Sequence, residues 1–116
     1  MTRGQMKWLT RLVKQGRQEG LFGHSSLAQA TWRRVMESLV KLGYATPYVH
    51  GGFEATKAGH EAHRALIADV EAKSAAALAK GRALEERGAK GKAERAFATS
   101  EKFLTLANDL RGWGPG

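Results

Sequence analysis

Residues 30–59, ATWRRVMESLVKLGYATPYVHGGFEATKAG, change their hydrophobic period twice. As far as Leu42 the apolar side chains recur every three or four positions, as they do on one face of a helix. Gly43 follows the last apolar turn and is the expected stop. Beyond it, YATPYV and FEAT flank His50-Gly51-Gly52, which predicts two short strands joined by a glycine turn. Pro47 lacks a backbone N–H, so its strand belongs at a sheet edge. Thr56 is placed to cap a further helix opening at Lys57.

On a helical wheel, Ala28, Trp32, Val35, Leu39 and Leu42 cluster on one side. Ala30, Arg33, Arg34, Glu37 and Lys41 share the other, so the arginine pair projects outward. Two starts compete. Ser26 and Gln29 have the spacing of a capping box, and Thr31 offers a second N-cap. One continuous helix, or a short helix, a tight turn and a second helix, both satisfy the sequence. Further upstream, Met6, Leu9, Leu12 and Val13 repeat at helical spacing between Gln5 and Gly16, with Lys7, Arg11 and Lys14 opposite them and Trp8 at the edge of the stripe. The segment GLFGHSS, residues 20–26, reads as a connection that turns Leu21 and Phe22 inward.

Downstream, residues 57–87 form an Ala-rich helical run interrupted only by Gly59 early and Gly81 late, and RGAKGK, residues 87–92, is a reversal. Ala93, Ala96, Ser100, Phe103, Ala107 and Leu110 then alternate by three and four, a coiled-coil seam whose counterpart is Leu66, Val70, Ala77 and Leu84. Small residues dominate both seams. Two helices can therefore pack closely as an antiparallel hairpin, but the narrow stripe buries little surface. Leu66, Val70, Ala77, Leu84, Ala96, Phe103 and Leu110 are the candidate interface with a second chain or a partner. The closing GWGPG, residues 112–116, reads as a loose tail.

Residues 5–59 resemble a winged helix-turn-helix domain of the kind found in MarR-like and PadR-like bacterial regulators. RRVMESLVKLGYA, residues 33–45, is similar to a recognition helix and its exit. GGFEATKAG, residues 51–59, is similar to the far strand of a wing running into the next helix. The resemblance implies a winged-helix domain over 1–59; with the helical hairpin read over 60–111, the expected fold is mainly α with a small β-hairpin. The resemblance also implies that Ser26, Gln29, Ala30, Arg33 and Arg34 face the major groove, where Arg can bond bidentately to guanine. Lys41 would lie near phosphate, and His50, with Tyr48, would reach from the wing. Lys7 and Arg11, with Arg3 and Lys14, would add attraction to phosphate that is independent of sequence.

The charge distribution points the same way. The chain carries a formal charge of +8, and an excess of this kind on 116 residues faces a polyanion. Residues 1–50 hold eight basic side chains against two acidic ones, whereas 51–116 are nearly balanced. No cysteine is present, which removes disulfides and thiolate chemistry. His60 and His63 stand three apart around Glu61, not the four apart of a zincin, and no third ligand is evident. With no catalytic grouping or phosphate loop, neither enzyme activity nor a cofactor is expected. No apolar run suits a membrane span, so the expected protein is cytoplasmic and, if bound to DNA, at the nucleoid.

The leading expectation is a dimeric, sequence-specific binder of double-stranded DNA, a small transcriptional regulator compact enough for a phage or mobile-element repressor. An adaptor whose hairpin, residues 79–104, binds a protein helix is the alternative, and a nonspecific nucleic-acid binder is a third.

Overall fold

The structure, a computed structural model, describes residues 1–18 and 26–113. In chain order its elements are α1 (Arg3–Gln15), β1 (Arg17–Gln18), α2 (Ser26–Lys41), β2 (Ala45–Tyr48), a 3-10 turn (Val49–Gly51), β3 (Gly52–Ala55), α3 (Lys57–Glu86) and α4 (Lys90–Arg111). They form two compact units, one within Met1–Arg64 together with Gly112 and Trp113, and the other Ala65–Arg111. The protein is mainly helical, with a small antiparallel sheet and a long C-terminal helical pair.

In the first unit α1 begins at Arg3, two residues before the expected start at Gln5, because Thr2 and Gln5 form a capping box. The Gln5 N–H donates to Thr2 Oγ1 at 3.1 Å, and the Thr2 N–H donates to Gln5 Oε1 at 2.9 Å. Helix α2 is continuous, which overturns the two-helix alternative with a break at Thr31. Between Ser26 and Leu42 the chain has no glycine or proline to break it. Thr31 is an interior residue whose hydroxyl donates to the Leu27 carbonyl at 3.0 Å instead of capping.

The buried face of α2 is Trp32, Met36 and Leu39, with Val40 packed beside them. Met36 thus takes the place expected of Leu42, which is 47% exposed. The helix ends first. The Gly43 N–H donates to the Val40 carbonyl and the Tyr44 N–H to the Leu39 carbonyl, a Schellman closure that needs the left-handed φ of 82° at Gly43. Leu42 is left on the outside of this closure, while Tyr44 packs against the core.

The sheet order is β1-β3-β2, so Pro47 lies on an edge strand, opposite Phe53. Strand β1 was not expected from the sequence. Its two residues pair with Glu54 and Phe53. The connection expected to bury Leu21 and Phe22 lies outside the described residues.

Leu9 and Leu12 from α1 meet the α2 stripe, Ala45 and Phe53 in one core. Full burial of each large apolar side chain contributes about 1.5–3 kcal/mol. Trp32 stands edge-on to Trp8 and to Phe53, with centroids 6.5 and 5.5 Å apart. Thr56 caps α3 by accepting the Gly59 N–H at 3.0 Å, and its own hydroxyl donates to the Gly43 carbonyl. His63, on the second turn of α3, is buried against Thr10. Because the Thr10 hydroxyl donates to the Met6 carbonyl, it accepts from His63 Nε2 at 3.3 Å.

In the second unit α3 and α4 run antiparallel. Ser74 and Ser100 exchange bonds across the seam, each hydroxyl within 3.0 Å of the other's carbonyl. Val70, Ala93, Ala96, Ser100, Ala107 and Leu110 are buried, and Leu66, Ala77, Leu84 and Phe103 are half-buried. Val70, Ala96 and Leu110 are therefore already out of water within a single chain. The reversal is shorter than RGAKGK, because a Schellman closure at Gly88 lets α4 begin at Lys90. Gly81, which reads in the sequence as a late interruption of the helix, does not break α3; a Cβ there would lie 2.5 Å from the Phe97 ring. Trp113, expected in a loose tail, instead lies beneath the Arg3 guanidinium, 5.1 Å from it.

Candidate nucleic-acid interface

With Trp32, Met36 and Leu39 turned into the core, the opposite arc of α2 faces water. Gln29, Ala30, Arg33, Arg34, Glu37 and Lys41 are all exposed on it. Ser26 opens the helix and His50 sits in the turn after β2; their side chains lie outside what is described. Leu27, at 78% exposure, belongs to the outer surface as well. Sequence reading passed over Leu27, although nothing on the apolar stripe required it.

The β2–β3 ribbon lies beside this helix. Between them runs a groove of about 240 Å³, walled by Arg33, Glu37 and Val40 on one side and by Tyr48, Gly51 and Phe53 on the other. Gly51 turns the ribbon with a φ of 77°, conserving a thin tip whose Val49 is 60% exposed. The fold thus brings Arg33 next to the glycine turn that lies eighteen positions further along the chain. Arg34 and Lys41 share the outward face but do not line the groove. Glu37 does line it, one turn after Arg33, and the two make no ion pair within 4.0 Å. A carboxylate there was not counted as a site residue from sequence, where it read as surface; it can accept from cytosine N4.

Lys7 and Arg11 form a second cationic patch, on α1. They do not stand clear of the apolar face, as the wheel suggested, but are half-buried, with their charges 5.7 and 4.7 Å from the centre of the Trp8 ring. Partial desolvation holds the Lys7 ammonium below the usual lysine range, and repulsion from Arg11 and then Arg3 adds to it. His60 is exposed whereas His63 points into the fold, so the two do not share a face. Among the described residues no three His, Cys, Asp or Glu side chains are grouped to hold a metal. No described helix is long and apolar enough to cross a membrane.

Comparison with known proteins gives no relative: no family model, curated protein or solved structure matches the chain.

Proposed function

We propose that the first unit is a winged-helix domain that binds double-stranded DNA with sequence preference, and that the protein is a small transcriptional regulator acting as a homodimer. The observation that carries this reading is the pairing of an outward polar and cationic arc on α2 with a thin, glycine-tipped ribbon at its flank. A helix of this width fits the major groove, and Arg33, Arg34 and Gln29 are residue types that read base edges there. The ribbon would follow the neighbouring minor groove or backbone. Lys41 and the α1 patch of Lys7 and Arg11 would hold phosphates, giving affinity and register without sequence information. Glu37 would restrict which base pairs are accepted beside Arg33, since a carboxylate repels every acceptor edge.

Selection of a randomised duplex pool by the full chain at near-physiological salt tests this reading. A two-fold dimer would recover an inverted repeat, with half-sites about one helical turn or a multiple apart. Binding without a recovered motif would replace the regulator with a nonspecific binder. Absence of binding would remove DNA from the function.

A further inference from the structure

The second unit carries a feature that DNA recognition by the first does not use. Between α3 and α4 lies a groove of about 500 Å³ whose floor is Ala77, Leu84 and Ala96. Lys80 stands on its α3 wall, and Lys92 and Arg95 stand on its α4 wall. All three cations are exposed, and no carboxylate lines the groove. Among the described residues none of the three has an ion-pair partner within 4.0 Å; the ion pairs of this unit, Lys73–Asp69 and Arg111–Glu71, involve other residues.

We propose that this groove docks an acidic amphipathic helix of a partner protein. The floor runs from Ala77 to Leu84 along α3, roughly 10 Å at 1.5 Å per residue, which accommodates about two helical turns. Alanines on the floor let a third helix approach closely, and Leu84 gives it an apolar contact. Cations on both walls then select the flanks of the incoming helix. An apolar stripe at i, i+3 or i+4 and i+7 with Asp or Glu on either side matches the groove in shape and in sign. A phosphate backbone fits less well, because the half-buried part of the floor, Ala77 and Leu84, is apolar. A second copy of this chain carries an excess of positive charge and meets repulsion at the walls.

The test screens the full chain against a displayed library of helical peptides randomised along one stripe and its two flanks. The expected consensus is apolar on the stripe and acidic on both flanks. A synthetic peptide of that consensus binds wild type and the Arg33→Ala, Arg34→Ala variant equally. It binds Lys80→Glu, Arg95→Glu at least tenfold more weakly, with helicity of that variant unchanged by circular dichroism. Neutral or basic consensus peptides, no enrichment, or undiminished binding to the charge-reversed variant would overturn the proposal. So would competition by duplex DNA or anionic vesicles, or a concentration-dependent mass that the charge reversal abolishes, which would place a second copy in the groove.

Discussion

Gly59 and Gly91 are the same residue with opposite tolerance. A Cβ at Gly59 would lie 2.1 Å from the Tyr44 carbonyl oxygen, which is fixed by the Thr56 N–H, whereas a Cβ at Gly91 meets nothing within 4 Å. Gly59→Ala should lower stability by about 2 kcal/mol or more through backbone displacement. Gly91→Ala should raise it by up to ~1 kcal/mol by restricting the unfolded chain. Urea unfolding midpoints of the two variants check both signs. At Lys7 the depressed ammonium pKa fixes a pH dependence. Below its folded pKa, Lys7 is charged in both states and the fold bears the repulsion. As pH rises toward the ordinary lysine value of 10.5, the folded state loses that proton first. Wild type should therefore gain stability relative to Lys7→Gln over that window, as measured by paired denaturation curves. Some residue placements were legible in the sequence and others were not. Trp32 was readable as core because its neighbours at helical spacing are apolar. Leu42 was misplaced because a wheel continues a helix indefinitely, while the closure at Gly43 ends it one residue earlier.

Elements with strong periodicity were the readable ones. The apolar repeats of α1 and α4 and the period change at Gly43 marked helices and ribbon, but β1 has two residues and exists only by pairing with β3. A strand so short has no alternation to detect. The seam of the α3–α4 pair was readable in its alanines, whereas Gly81 was readable only as an interruption of α3 and not as the place where the Phe97 ring lies close. Gly81→Ala should cost about 1–3 kcal/mol, because the new methyl meets the Phe97 ring. In a double-mutant cycle with Phe97→Ala, the two losses should sum to more than the double variant loses, with a coupling of about 0.5–3 kcal/mol. Strict additivity would show that the ring moves aside freely. The candidate interface was half legible: the outward arc of α2 follows from period alone, but Arg33 lining a groove with Tyr48 and Gly51 is a consequence of how the ribbon folds back.

For the whole molecule, which carries a charge of +8, the proposed duplex binding predicts a salt dependence set by how many of its cations meet phosphate. Each phosphate neutralised steepens the fall of log K with log salt by about 0.9. Replacing Arg33 and Arg34 with alanine should flatten that slope by up to ~1.8 if both meet phosphate, and by less, with loss of sequence preference, if they meet bases. Titrations of wild type and variant across a salt series separate the two. The Ser74–Ser100 pair has a different use. Their hydroxyl oxygens are 3.1 Å apart on two antiparallel helices, in a chain without a single sulfhydryl. Cysteines placed at both positions would be the only thiols of the chain. Oxidation would close a ring of roughly 27 residues, and closure of such a ring adds about 3.5 kcal/mol to the hairpin. A reductant would open it again, so the second unit can be latched and released in solution while the first is left chemically untouched.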